Sequence, residues 1–318
     1  MSQTSQNSPS PGKSFPSNSN GLYAFWKFSR PHTIIGTSLS VLGLYIIAIA
    51  ITSTAFSVNQ LIPVLGTWIA CISGNVYIVG LNQIEDIEID KINKPHLPLA
   101  SGEYTKAQGQ LIVLFTGILA FISAWLNGPY LFGMVFISLA IGTAYSLPPI
   151  RLKQFPFWAA LCIFSVRGTI VNLGLFLHFS WVLQKSQAIP LTVWVLTVFI
   201  LVFTFAIAIF KDIPDMEGDR LYNITTFTLK LGPQAVFNLA LWVLTICYLG
   251  MVLVGVLRVA AINTIFIALT HLAILCWMWM QSLAVDLQNK SAIAQFYQFI
   301  WKLFFLEYLI FPIACLLA

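Results

Sequence analysis

Residues 61–90 read LIPVLGTWIACISGNVYIVGLNQIEDIEID. Residues 61–81 of this stretch carry no charge. They are long enough to cross a hydrocarbon core of about 30 Å as a helix, which takes about 20 apolar residues. The stretch then turns acidic. Asn82, Asp86 and Asp90 stand at i, i+4 and i+8, so a helix continuing past the membrane surface presents all three on one face.

The rest of the chain repeats the apolar theme. Of 318 residues, 58% are hydrophobic and 8% charged, and the mean hydropathy is +0.84. A soluble domain carries about 25% charged residues, so the bilayer is the expected solvent. Nine runs qualify as spans: 33–52, 61–81, 109–127, 130–147, 157–178, 190–210, 234–257, 261–283 and 296–317, with Gly128-Pro129 as a tight turn. The expected fold is an all-α, polytopic membrane bundle.

With nine spans, the N-terminal segment and the even-numbered connections share one side. That side carries twelve Lys/Arg and the other two, Lys185 and Arg258, so the positive-inside rule puts the first side in the cytoplasm. Residues 1–21 are rich in Ser, Asn, Gln and Pro, with Lys13 as the one charge. This composition predicts a disordered tail and lacks the apolar region of a secretory signal, leaving 22–318 as the transmembrane domain. The basic residues are scattered among apolar runs, which argues against a nucleic-acid partner. The five cysteines also sit inside apolar runs and suggest neither disulfides nor a thiolate metal site.

Acid is scarce and concentrated. Nine of the eleven Asp/Glu fall in the connections after the second and sixth spans. The second group contains Asp212, Asp215 and Asp219 at i, i+3 and i+7, again one helical face. Pro214 should interrupt the helix near Asp212, and Pro95 should stop the first extension. Asp86 to Asp215 and Asp90 to Asp219 share one offset of 129 residues, as in an internal pseudo-repeat.

Two carboxylates about 5 Å apart repel by roughly 3 kcal/mol at an effective dielectric of 20. A cavity faced by both groups therefore requires cations. Mg²⁺ suits oxygen ligands and typically combines one or two carboxylates with phosphate oxygens. Asn82, Asp86, Asp90, Asp212, Asp215 and Asp219 are the candidate metal ligands. Nearby Lys94, Arg151, Lys153 and Lys211, with Lys91 and Arg220 beside them, are candidates for phosphate, to which cationic contacts are strong. Metal-binding acid, phosphate-binding base and an apolar cavity together describe a site for a lipid diphosphate.

Asn82-Gln83-Ile84-Glu85-Asp86-Ile87-Glu88-Ile89-Asp90 resembles the NxxxDxxxD motif of the UbiA-type intramembrane prenyltransferases, and Asp212–Arg220 resembles their second Asp-rich motif. The similarity extends over about residues 22–318. Arg30-Pro31-His32-Thr33, Asp90–Glu103, Tyr145–Lys153 and Val166–His178 resemble the homogentisate-prenylating branch. The resemblance implies a nine-helix bundle with a central cavity, Mg²⁺, a phytyl diphosphate donor and homogentisate as acceptor. It further implies a decarboxylating prenylation leading to tocopherol, in the plasma or thylakoid membrane of a cyanobacterial-type cell. His32 follows it into the acceptor pocket, and Tyr145 offers its ring face to an allylic cation. Geranylgeranyl or solanesyl diphosphate is the alternative donor.

A different class, the ion-coupled transporter, also uses repeats and acidic cation sites, but typically near the bilayer midplane. Arg167 falls inside the fifth span and needs a partner, either an acceptor carboxylate or an internal bond to Asn172 or a helix carbonyl. Lys302 and Glu307 in the last span are expected to pair with each other or with other polar groups.

Overall fold

The computed structural model describes residues 21–318. Residue Gly21 opens a helix, and the rest of the expected tail lies outside the described residues. The order is α1 (Gly21–Phe28), α2 (Pro31–Thr52), α3 (Leu61–Glu85), α4 (Ile87–Asn93), α5 (Pro98–Ser101), α6 (Lys106–Asn127), α7 (Pro129–Ser146), α8 (Pro156–Phe164), α9 (Val171–Val182), α10 (Leu191–Phe210), α11 (Asp212–Leu221), α12 (Phe227–Leu231), α13 (Pro233–Val256), α14 (Thr264–Ser282) and α15 (Lys290–Leu316). Strands are absent among the described residues. A π-helical turn, Ser165–Ile170, joins α8 to α9 in one span. Nine candidate membrane spans result among the described residues, one for each apolar run.

Their faces are reversed relative to a water-soluble bundle. On α6, Leu111, Leu114, Phe115, Ile118, Ile122 and Trp125 form an exposed apolar stripe, whose helical spacing would face the core of a soluble protein. Lipid contact explains it. Because lipid tails are as apolar as leucine, helices here associate through close packing and interhelical hydrogen bonds. Gly43 lets α2 approach α15: a Cβ there would lie 3.1 Å from the Tyr308 carbonyl. Thr67 bonds His178 at 2.7 Å, Tyr77 bonds Thr143 at 2.9 Å, and the Tyr308 hydroxyl donates to Asn172 Oδ1 at 2.7 Å. Such bonds contribute about 0.6 kcal/mol each in membranes.

Ion pairs draw the N-terminal segment and the even connections to one end of the bundle. Lys27 of α1 pairs with Glu103 after the second span. Lys153 after the fourth span lies 2.6 Å from Asp86. Lys290, at the start of the last span, lies 2.6 Å from Glu217 after the sixth. Of the two expected arrangements for the last span, Glu307 takes the pairing with another polar group, His271 of α14 at 2.9 Å, both fully buried, while Lys302 is exposed. Five residues apart, Lys302 and Glu307 leave α15 on different faces.

Candidate active site

The first acidic face is the end of a long helix. The Asp86 N–H donates to the Asn82 carbonyl at 3.1 Å and the Asp90 N–H to the Asp86 carbonyl at 2.7 Å. The helical bonding therefore persists although Asp86, at φ −112° and ψ 16°, bends the chain between α3 and α4. Pro95 lies two residues beyond α4. The second face follows a single turn residue, Lys211, whose backbone stays helical (φ −57°, ψ −25°) and whose N–H donates to the Ile207 carbonyl at 3.0 Å. Pro214 sits in the first turn of α11, where its missing N–H costs little, so Asp212 stays with Asp215 and Asp219 on one short helix.

The two helix ends meet. Lys94 Nζ lies 2.6 Å from Asp215 Oδ2 and 3.8 Å from Asp90 Oδ1. The Gly218 N–H donates to Asn93 Oδ1 at 2.9 Å, and a Cβ on Gly218 would come within 2.6 Å of that amide. Asn82, Asp86, Asp90, Asp212, Asp215 and Asp219 line a single cavity of about 1260 Å³, with Lys94, Lys153 and Lys211 beside them. Ile78, Met134, Leu139, Ile163, Val171 and Ile207 supply apolar wall. The volume exceeds the usual 300–1,000 Å³ of a small-molecule pocket.

Tyr145, His32 and Arg167 also line the cavity. Arg151 is not in that lining; its guanidinium donates to Asp86 Oδ1 at 3.2 Å and to the Glu85 carbonyl at 3.4 Å, which ties it to the first acidic motif. Lys211 lies 2.9 Å from Asp212. Lys91 pairs with Glu88 on the exposed flank, and Arg220 is exposed.

Asp90, Asp212 and Asp219 are each 7% exposed. Burial pushes the Asp90 carboxyl up to about 6, with Lys94 opposing. Burial and the charge of Asp215 push Asp219 up to about 7, and burial raises Asp212 against the pull of Lys211. Burial lowers Lys153 while Asp86 opposes the shift. The Asp219 side chain makes no hydrogen bond or ion pair among the described residues. Of the three nearly buried carboxylates, Asp219 is thus the one short of positive charge, while Asp212 has Lys211 at 2.9 Å and Asp90 has Lys94 at 3.8 Å.

The donors are all oxygen, as a hard divalent ion prefers. Among the described residues no three His, Cys, Asp or Glu side chains converge into a ready-made cage. The set fits an ion that takes its remaining ligands from phosphate and water, as Mg²⁺ does.

Arg167 comes from the π-turn. Asn172 Nδ2 donates to the Gly168 carbonyl at 2.6 Å and to the Arg167 carbonyl at 3.4 Å. Asn172 therefore binds backbone in this turn and leaves the guanidinium alone. The guanidinium stands over the rings of Trp301 at 5.2 Å and Phe304 at 5.6 Å. Ring contacts of this kind contribute up to about 2 kcal/mol when desolvated, against at least about 2.5 kcal/mol to place an arginine at helix mid-span.

Two residues of this site carry no sequence signal strong enough to single them out. Asn93 lies one turn beyond Asp90, but only its meeting with Gly218 gives it meaning. Trp301 is one of ten tryptophans in a chain whose environment accounts for most of them.

Comparison with known proteins bears on this site. The UbiA prenyltransferase family model matches residues 39–303. A homogentisate phytyltransferase of Synechocystis sp. is 54% identical over 296 residues, covering 92% of this chain and 96% of its own. A chloroplastic homogentisate phytyltransferase of Arabidopsis thaliana is 40% identical, with 92% and 75% covered. In fold, the chain is similar to a UbiA homologue from Archaeoglobus fulgidus solved with GPP and Mg²⁺, at a TM-score of 0.62 and 15% identity over 93% of this chain and 100% of that one. Helix order, paired acidic motifs and these similarities agree, and the chain belongs to the UbiA prenyltransferase family.

Proposed function

We propose that this chain transfers a phytyl group from phytyl diphosphate to homogentisate, releasing diphosphate and carbon dioxide and leaving a methyl-phytyl-benzoquinol. The observation that carries the reading is the convergence of six acidic or amide side chains and three lysines at the mouth of one partly apolar cavity. The name of the relative 54% identical to this chain supports the choice of donor and acceptor.

Asn82, Asp86, Asp90, Asp212, Asp215 and Asp219 would hold Mg²⁺, which would supply Lewis-acid neutralisation of the diphosphate. Lys94, Lys153 and Lys211 bring positive charge to the departing diphosphate. Arg151 positions Asp86 through its hydrogen bond to Oδ1. As the C1–O bond breaks, its electrons leave on the diphosphate oxygen, and the ring face of Tyr145 accommodates the allylic cation. The apolar wall keeps water from quenching that cation. An acceptor ring carbon then bonds C1. The ring gives up one proton, and the side-chain carbon takes one up as carbon dioxide leaves.

We also place the Asp-rich end on the cytoplasmic face of a plasma or thylakoid membrane, on the strength of the Lys/Arg asymmetry. Purified protein given Mg²⁺, homogentisate and equal phytyl, geranylgeranyl and solanesyl diphosphates should consume phytyl diphosphate preferentially. Preference for solanesyl would reassign the donor, and absence of any prenylated quinol would remove the acceptor.

A further inference from the structure

Two ionisable groups inside the spans, the buried Glu307 and the half-buried Arg167, are handled differently. Glu307 is matched by His271 at 2.9 Å. Arg167 has no anion: its guanidinium makes no hydrogen bond or ion pair among the described residues, yet it reaches the cavity wall. The surroundings fix it in place. Asn172, held by the Tyr308 hydroxyl, ties down the carbonyls of its π-turn. A Cβ on Gly168 would fall 2.5 Å from Leu201 Cα, so the turn is pressed against α10. π-turns inside helices occur frequently at functional sites.

The rings of Trp301 and Phe304 take up the faces of the guanidinium, and ring contact leaves its N–H edge available. That edge is the part of arginine that binds a carboxylate with two parallel hydrogen bonds. The His32 ring packs directly against that of Trp301 at 4.7 Å, so the two form one continuous aromatic wall beside the guanidinium. His32 is within electrostatic reach of Arg167, Arg30 and Lys94, and Lys94 reaches Asp90 and Asp215. An aromatic wall therefore runs along the same cavity from the unpaired guanidinium toward its acidic end.

We propose that Arg167 seats the carboxylate of the acceptor, with Trp301 and His32 as the wall along one face of its ring, so that the chain selects an aryl acid over the corresponding neutral quinol. This rests on the proposed function and adds the group by which the acceptor is recognised. Lys302, an exposed cation lining the same cavity, is the internal comparison.

The test is steady-state kinetics of wild type, Arg167→Met, Arg167→Gln and Lys302→Met with homogentisate and with neutral methylhydroquinone. Loss of the paired charge-assisted bonds should raise the homogentisate KM of Arg167→Met by at least about tenfold. The preference for homogentisate over methylhydroquinone should fall by a similar factor, while the phytyl diphosphate KM and the Lys302→Met values stay within about twofold of wild type. Mg²⁺-dependent binding of phytyl diphosphate reports whether a variant is folded, and Arg167→Gln carries the same readout if the methionine variant loses that binding. An unchanged acceptor KM and preference in the neutral Arg167 variants, or the effect appearing in Lys302→Met instead, would overturn the proposal while leaving the proposed function standing. If wild type does not prenylate homogentisate, equilibrium binding of homogentisate decides the matter separately: binding weakened by Arg167→Met supports the seat, and binding that is absent or unchanged overturns it.

Discussion

The first acidic face is borne by a helix 25 residues long that runs on, with one bend, into a second segment. The other acidic face stands on a separate helix of 10 residues, joined to its own span through the single turn residue Lys211. Asp86 is held by Lys153 and Arg151 from a neighbouring connection. Asp215 is held by Lys94, which belongs to the first face, and the α11 backbone is tied to Asn93. The first face is anchored by its own span and a flanking loop, and the second leans on the first. One site is thus assembled hierarchically, although its two motifs look equivalent in sequence.

The largest effect should come from removing a carboxylate on either side. Asp86→Ala and Asp215→Ala should each lower kcat/KM by about 10³-fold, the scale of losing a main electrostatic group at a reacting centre, with helical content by circular dichroism unchanged. Equal losses would show that the faces, though built differently, act together. Lys94 serves both faces and Lys153 one, so Lys94→Met should raise the donor KM by about 100-fold and Lys153→Met by about tenfold, charge-assisted phosphate contacts being among the stronger polar ones. A reversed order would undo the hierarchy.

Protons compete with metal for the carboxylates. Burial raises Asp219 to about 7 and Asp90 to about 6, so each is charged above those values and gains a proton below them. The Mg²⁺ concentration giving half-maximal rate should therefore rise about tenfold as pH falls from about 7.5 to about 6, and Asp219→Asn should flatten that dependence more than Asp90→Asn. Asn93→Ala leaves the Gly218 N–H without its partner, a loss of about 1 kcal/mol, and should lower turnover about fivefold through the second face alone. Lys290→Ala removes only an exposed ion pair with Glu217 and should leave turnover within about twofold, since such pairs contribute little.

The spans were legible because bilayer thickness imposes run length on the sequence itself. Their ends were less so. The last span begins at Lys290 rather than 296, because Asn289 caps it by accepting from the Ser291 and Ala292 N–H groups. The acidic spacing was legible because it is local to single helices. Partnerships between distant helices were not: Glu307 with His271, Asn93 with Gly218, and Arg167 with Trp301 depend on which faces pack together. The π-turn at Ser165–Ile170 left no mark in an apolar run.

The claim underlying all of this is that both faces bind one metal–diphosphate unit. It is tested most directly by equilibrium binding of a non-reactive thio analogue of phytyl diphosphate, with Mg²⁺, to wild type, Asp86→Asn, Asp215→Asn and the double variant. If the faces share one ligand, each single substitution should abolish most of the binding free energy and the double should be little worse than either, the non-additivity expected of coupled sites. Independent, additive losses, or wild-type affinity in either single variant, would contradict it.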